Sequence, residues 1–351
     1  MANNFLANAK KFKNDEFYTQ YRDIETEILA YLDNDIDTFR GKTVLLPCDD
    51  PEWSNFTKFF AKNFEILGLK KLISTSYASE SKKYKDGYQP TLFETSNPQY
   101  DENKTVENGK IFTLTRDKSG DGKIDLDDLE WKYLDGDGDY RSDEIKELCN
   151  EADIIITNPP FSLWREFLAW IINSNKQFII IGNMDAITYI EVFPLLRDNK
   201  IWLGAGKNDG RNVWYQVPEN YTTFHKEENG KKYAFVAKTI WFTNIDHGRR
   251  HRPLQTLMTE EKIIKFVTKK PFVKYDNYDA IEVSNVQNIP SDYEGVMGVP
   301  VSFLSKHSPA QFEILGSNRG IGQDANKVYG RGSFVNGKET FKRIFIKHKK
   351  K

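Results

Sequence analysis

The chain is 351 residues long, 39% hydrophobic and 14% aromatic, which suffices for one large domain with a smaller appendage, needs no metal or disulfide staple, and excludes a disordered chain. Its two cysteines, Cys48 and Cys149, lie far apart without paired metal spacing; they exclude a disulfide framework and suit a reducing, cytoplasmic setting. The net charge of −1 hides an asymmetry: residues 238–351 hold 20 Lys/Arg against 11 Asp/Glu, a net +9 that leaves −10 for the rest, so the back third has the charge to follow phosphates and the aromatic residues to stack on bases.

Taken in chain order, the start Met1-Ala2-Asn3-Asn4-Phe5 has no basic stretch followed by a long apolar run, and no later segment has bilayer length, so neither secretion nor membrane insertion is expected. After Phe17-Tyr18-Thr19-Gln20, apolar Ile24, Ile28 and Leu32 recur every fourth residue and predict a helix over 22–32. Four apolar runs read as buried parallel strands: Thr43-Val44-Leu45-Leu46-Pro47, Lys71-Leu72-Ile73-Ser74-Thr75, Asp153-Ile154-Ile155-Ile156-Thr157 and Gln177-Phe178-Ile179-Ile180-Ile181. Between the last two, Leu163, Phe167 and Ile171 share one face of a helix over 162–172, completing a βαβ unit. Residues 77–150 are polar and rich in Gly, Asp and Asn, and read as an elaborated insertion, although 110–116 is strand-like. The last segment, from 254, carries short strand-like pieces and Gly-rich turns, with one helical stretch over 260–267 and no internal repeat. An open α/β sheet with a smaller mixed α+β region is therefore expected, divided into 1–253 (insertion about 77–150) and 254–351. In such sheets ligands bind beyond the carboxyl ends of the strands, which directs attention to the segments after Leu46 and Thr157.

The second of those segments is Thr157-Asn158-Pro159-Pro160-Phe161, set between a strand and a helix. An exocyclic amine is a poor nucleophile because its lone pair is delocalised into the ring. The side-chain oxygen of an Asn158 and the backbone carbonyl of Pro159 can each accept one amine hydrogen and favour a more tetrahedral nitrogen. Pro159 and Pro160 fix the backbone, and Phe161 offers a flat surface to a flipped base. No general base of tuned pKa is needed, because the amine becomes acidic only after transfer; positioning alone can lower such a barrier by roughly 7–11 kcal/mol. As a bare tripeptide the same residues would serve as a helix-entry turn, with Asn as cap and Pro in the first turn.

The chain resembles the EcoRI-type adenine-specific DNA methyltransferases. The resemblance is carried by Asn14-Asp15-Glu16-Phe17-Tyr18-Thr19-Gln20, Leu46-Pro47-Cys48-Asp49-Asp50-Pro51 with Trp53-Ser54-Asn55-Phe56, Gly136-Asp137-Gly138-Asp139-Tyr140-Arg141-Ser142 and Asn158-Pro159-Pro160-Phe161. It covers the first half of the chain and extends weakly through Gly182-Asn183-Met184, residues 238–244 and Gly298-Val299-Pro300. It implies a Rossmann-like S-adenosyl-L-methionine-dependent sheet, a DNA target-recognition region at 254–351, and N6 methylation of a flipped adenine in duplex DNA, as in restriction-modification or orphan systems. It also implies a monomer, and a restriction endonuclease acting on the same site as partner. Phe17, Tyr18 and Thr19 look like the segment closing over the methionine end of the cofactor, or else a hydrophobic staple for the following helix. Pro47, Cys48, Asp49 and Asp50 look like the corner that meets its ammonium or ribose, or else a polar turn. Asp139 and Tyr140 look like the pair that meets its adenine. Trp241 and Phe242 are candidates for gripping the extruded base, although aromatics in a strand are commonly core. Two departures stand out: no Gly-rich turn follows the first strand, and Ser74-Thr75-Ser76-Tyr77 supplies no acid at the end of the second.

Arg249, Arg250 and Arg252 suit phosphate and guanine edges, or a surface turn before Pro253; Ser305, Lys306, His307, Asn318 and Arg319 are further candidates for base reading. Asp117, Ser119, Asp121, Asp125 and Asp128 match most of a calcium loop, but Asp128 replaces the bidentate Glu and a strand replaces the entering helix, so a solvated acidic turn competes. Methylation of RNA bases or of a protein glutamine, and a non-catalytic calcium- or nucleic-acid-binding module, are the alternative functions.

Overall fold

The computed structural model describes residues 18–50, 54–77, 95–206, 213–217, 224–236, 238–256, 258–318 and 332–349; Phe17, Pro51, Trp53 and Arg319 fall outside them. The four apolar runs form adjacent parallel strands: β1 (Thr43–Pro47), β2 (Lys71–Ser76), β5 (Ile154–Thr157) and β6 (Gln177–Asn183), in the order β2-β1-β5-β6. Successive side chains point to opposite faces, so both faces must be covered. Val44, Leu46, Ile154, Ile156, Ile179 and Ile181 pack under α1 (Tyr21–Leu32) and α2 (Asn55–Lys62), while Leu45, Ile155, Phe178 and Ile180 meet α3 (Asp143–Glu151) and α4 (Trp164–Ser174). The stripe on α1 is Ile24, Glu27, Ile28 and Tyr31 rather than Leu32, which is half-buried.

The polar stretch 77–150 is more than an insertion. It contributes β3 (Lys110–Leu114) and β4 (Glu130–Tyr133), which pair antiparallel and extend the main sheet beyond β2, and it ends in α3. The strand-like 110–116 is β3, second from the edge, and only the edge strand β4 was concealed by its polar, alternating composition. At the other edge lie β11 (Thr239–Thr243) and the two-residue β7 (Trp202–Leu203), with α5 (Phe193–Arg197) between β6 and β7. A separate three-stranded sheet, β8 (Val213–Val217), β9 (Lys226–Glu228) and β10 (Lys231–Val236), presents Tyr215, Val217, Ala234 and Val236 to Phe161. Beyond 254 a short α6 (Glu260–Ile263) runs into a π-helical turn, Ile264–Thr268, where one helix over 260–267 is expected from the sequence. A four-stranded sheet follows, ordered β12 (Ala280–Glu282), β13 (Val296–Pro300), β17 (Arg343–His348), β14 (Phe312–Ser317), beside a hairpin of β15 (Phe334–Val335) and β16 (Lys338–Glu339). Its Ile281, Met297, Val299, Ile344 and Ile346 belong to the same apolar cluster as Leu45, Ile155 and Phe178, so the chain crosses residue 253 without a break in the core. No helix among the described residues is long and apolar enough to cross a membrane.

Two close contacts set the frame around the strand ends. The indole of Trp164, the first residue of α4, donates to Ile181 O at 2.8 Å and lies across Gly182, where a Cβ would sit 2.5 Å from the indole nitrogen. On the opposite face the fully buried carboxylate of Glu27 accepts from Tyr31 Oη at 2.7 Å, Ala205 N at 2.9 Å and Gly206 N, while Arg249 Nη1 grips the carbonyls of Ala205 and Gly206. Burial raises the Glu27 carboxyl above its ordinary range despite these donors. Gly182→Ala is expected to destabilise the fold by about 1–3 kcal/mol through overpacking against Trp164, and Trp164→Phe in the same chain to recover part of that loss; urea unfolding midpoints check both. Glu27→Ala strands three buried donors at a cost of about 1–3 kcal/mol for each one left unmet, and is expected to expose residues 204–206 to early hydrogen exchange.

Candidate active site at the carboxyl ends of β1 and β5

Chain connections leave β1 toward β2 and leave β5 toward β6, in opposite directions, so a crevice opens between the ends of β1 and β5. The loop after β1 turns at Cys48, whose φ of 89° is a conformation that ordinarily calls for glycine. The expected glycine turn is thus made by a half-buried cysteine. Its backbone is held from both sides: Asp49 N donates to Thr75 O at 2.9 Å, and Thr157 Oγ1 lies 3.0 Å from Pro47 O.

Asp49 is 5% exposed. Its carboxyl lies 2.6 Å from Ser54 Oγ on one oxygen and 2.6 Å from Thr157 Oγ1 on the other, and its backbone carbonyl accepts from Thr57 and Ser74. Burial pushes the carboxyl up to about 7, with the Ser54 and Thr157 hydroxyls opposing and Asp50 reinforcing the shift. Ser54 also caps α2, accepting from Phe56 N at 3.1 Å, and the next residue, Asn55, donates to Thr19 O at 2.7 Å. Tyr18 in turn bridges Gln216 of β8. Tyr18, Thr19, Pro47, Cys48, Asp49, Asp50 and Asn158 are therefore joined through one chain of contacts. Thr19 Oγ1 is buried without a hydrogen-bond partner among the described residues.

The Gly136-to-Ser142 loop reaches the same place over the end of β2. Gly138, at φ 83°, presses on Ser76 O, where a Cβ would lie 2.3 Å away; only glycine allows that crossing. The crossing brings Asp139 into the electrostatic reach of Cys48. It supplies an acid where β2 itself ends in hydroxyls. Arg141 holds the Asp139 carboxyl below its usual range through Nε at 2.9 Å and Nη2 at 2.5 Å. Tyr140 is buried against Phe167 and Trp170, with ring centroids 4.9 and 5.5 Å away, and its hydroxyl has no hydrogen-bond partner among the described residues.

Asn158, Pro159 and Pro160 leave β5 as a short elbow, half-buried at Asn158 and Pro160 and buried at Pro159. Phe161 packs against the small sheet and also borders a cleft of about 490 Å³ with Ser162, Leu163, Arg165, Asn183, Asp185 and Tyr189. Of the elbow, Phe161 alone borders that cleft, while Asn158 Oδ1 is buried.

Other expected site residues lie elsewhere. Phe242 is fully buried against Trp164, and Trp241 packs edge-on to Phe56 in the core with one edge on a void of about 20 Å³ beside Thr19 and Tyr215. They are β11 core residues. Arg250 is 9% exposed, stacked 3.4 Å over Trp202 and bonded to Asp246 and Asn199. Arg249 and Arg252 are exposed and line a groove of about 560 Å³ with Ser305 and Lys306. His307 and Asn318 are turned inward, His307 toward Phe312 O and Asn318 toward Ser333 Oγ. In the acidic loop Asp128 accepts from the amides of Lys118, Ser119 and Asp125, and Asp117 from those of Gly120 and Gly122, which holds Asp128 down at about 2. The carboxylates of the calcium candidate are spent on the loop's own amides, and no cluster of metal-ligand side chains forms among the described residues. The residues missed by sequence reasoning are Thr157, Ser54, Asn55 and Glu27. Thr157 had a signal as the one polar residue closing an all-isoleucine strand, Ser54 and Asn55 stood within a motif that carries the resemblance, and Glu27 had none.

The family described as Adenine-specific methyltransferase EcoRI matches residues 5–350. Type II methyltransferase M.EcoRI of Escherichia coli is 41% identical over 353 residues, covering 99% of this chain and 97% of the relative. Type II methyltransferases M.MgeORF184P of Mycoplasma genitalium and M.MpnI of Mycoplasma pneumoniae are 32% and 30% identical, each with 97% or more of both chains covered. No solved structure matches. With a Rossmann-like sheet and an Asn-Pro-Pro-Phe elbow at its switch point, and similarity running along nearly its whole length, the chain belongs to the EcoRI family of adenine-specific methyltransferases and is a DNA adenine methyltransferase.

Proposed function

We propose that the chain moves the methyl group of S-adenosyl-L-methionine to the exocyclic N6 of an adenine extruded from duplex DNA, at the elbow formed by Asn158, Pro159, Pro160 and Phe161. The observation that carries this reading is the elbow's position, at the carboxyl end of β5, linked through Thr157 to the β1 loop and open at Phe161 to a cleft. Asn158 Oδ1 and Pro159 O accept the two amine hydrogens, Pro160 keeps the carbonyl outward, and Phe161 takes the base face. A methylsulfonium donor supplies an electrophilic carbon, so the protein need only align and desolvate it.

The residues fit such a cofactor. Buried Thr19 Oγ1 and Tyr140 Oη offer hydrogen bonds that no described side chain uses. Tyr18 and Thr19 would cover its amino-acid end, Pro47, Cys48 and Asp50 would line its ribose side, and Asp139 and Tyr140 would face its adenine. Asp49, engaged with Ser54 and Thr157, holds the loop instead of the ligand. Phe17 completes the covering segment as an expectation from sequence. For the duplex, Arg252, Arg249 and Lys306 along the groove are the phosphate contacts, and the burial of Arg250, Trp241 and Phe242 speaks for core roles instead. The same reading implies a monomer in the cytoplasm, either beside a restriction endonuclease that reads the same site or as an orphan enzyme.

Asn158→Ala is expected to cut single-turnover methylation of duplex DNA by at least about 100-fold, the scale of losing one transition-state hydrogen bond, while leaving duplex affinity intact. Unchanged turnover, or methyl transfer to RNA or a protein glutamine in preference to DNA, defeats the assignment. Arg252→Ala is expected to weaken binding to all duplex sequences alike and to lower the slope of log K against log salt by about 1, measured by fluorescence anisotropy across a salt series.

A further inference from the structure

We propose that Asp49 is a positioning residue that works as a neutral acid: its carboxyl proton completes a hydrogen-bonded bolt from Ser54 through Asp49 and Thr157 to Pro47, and this bolt holds the catalytic elbow in register with the β1 loop. The inference rests on the reading of Asn158 given above and adds a group outside the reacting atoms.

The count of protons carries the argument. Thr157 has one hydroxyl proton and two oxygen neighbours, Pro47 O at 3.0 Å and Asp49 Oδ2 at 2.6 Å. If Asp49 is ionised, Thr157 must share its one proton between the two oxygens or leave one contact acceptor against acceptor. If Asp49 carries a proton on Oδ2, it donates to Thr157 Oγ1, Thr157 donates to Pro47 O, and Ser54 donates to Oδ1; every proton then has an acceptor. Among the described residues, nothing around it gives a carboxylate a counter-charge. The elements packed on it contribute hydroxyls and backbone, Ser54 and Thr57 at α2, Ser74 and Thr75 on β2, Thr157 on β5. Among the described residues the nearby titratable groups are Cys48 and Asp50 on its own loop, with Asp139 facing Cys48 from the loop before α3. None is cationic. A buried carboxyl without a cation or backbone amide donors favours its neutral form, in agreement with the direction of its shift. Thr157 is joined by one peptide bond to Asn158, so breaking the bolt releases the residue that holds the amine.

The sign follows directly. The active form is protonated, so methylation is retained at low pH and lost as pH rises through the Asp49 value, near 7. Single-turnover rates on duplex DNA, with cofactor and DNA saturating, are measured between about pH 6 and pH 9 for the full chain, Asp49→Asn and Asp49→Ala. The wild-type rate is expected to fall toward tenfold per pH unit above about 7, and Asp49→Asn, an isostere of the neutral acid, to lose that fall. Asp49→Ala is expected to be slow at every pH. A flat wild-type profile, or an alkaline fall that survives in Asp49→Asn, overturns the proposal; so does an Asp49→Asn chain as slow as Asp49→Ala, or one that keeps its rate but binds cofactor weakly, since either makes Asp49 a charged ligand. Should neither variant fold, carbon-13 titration of the wild-type aspartates decides: an Asp49 carboxyl titrating in the ordinary aspartate range overturns the bolt. Asn158→Ala is the separate control. If it retains turnover, the catalytic reading fails whatever the Asp49 profile shows.

Discussion

The constraint on which the site depends is the burial of polar groups where β1 and β5 end side by side. Two parallel strands in the middle of a sheet must send their chains apart at their carboxyl ends, and the freed carbonyls and side chains there have little water to bond. Here Asp49, Ser54, Thr57, Ser74 and Thr157 satisfy one another in a single buried knot. That knot ties three strands and α2 together, and the Asn158–Phe161 elbow starts one residue beyond it. An unmet member would cost about 1–3 kcal/mol, which is why such a cluster is complete or absent.

The same knot explains how the chain dispenses with a glycine turn after β1. Cys48 sits at φ 89°, a conformation that costs a side-chain-bearing residue about 1–2 kcal/mol. Hydrogen bonds on either side, from Asp49 N to Thr75 O and from Thr157 to Pro47 O, over-determine the turn and hold it there. Glycine has moved to the loop before α3, where Gly138 crosses Ser76 O and delivers Asp139 and Tyr140 from outside the strand order. The corner beside β1 and β2 is shaped by a different loop from the one its fold class suggests.

Charge is divided with similar economy. The back third is basic, yet its arginines do unlike things: Arg250 stacks on Trp202 inside a hydrogen-bonded cage, Arg343 pairs with Glu282 within the C-terminal sheet, and Arg249 clamps the 204–206 backbone from an exposed position. Arg252 and Lys306 stand along the groove between the α/β sheet and the C-terminal sheet. The shared apolar core fixes that groove, because it joins both sheets without a linker.

The sequence by itself determined the parallel core, since runs such as Ile154-Ile155-Ile156 have only one environment that buries both faces, and it determined the elbow, since Asn-Pro-Pro-Phe between strand and helix is a local arrangement. The helix over 22–32 and the strand-helix-strand unit from 153 to 181 were legible for the same reason, as apolar periodicity is a property of neighbours in the chain. Other features belonged to tertiary structure alone. Arg249, Arg250 and Arg252 are nearly consecutive and chemically alike, and only the packing of Trp202, Asn199 and residues 205–206 separates the caged guanidinium from the exposed ones. Trp241 and Phe242 read as base clamp or, more commonly for strand aromatics, as core, and the packing of β6 and Trp164 over them makes them core. Thr157 and Asp49 are 108 residues apart, and a hydrogen bond between such residues exists only once two strands have been laid together, because its distance is set by the sheet and by nothing local to either residue.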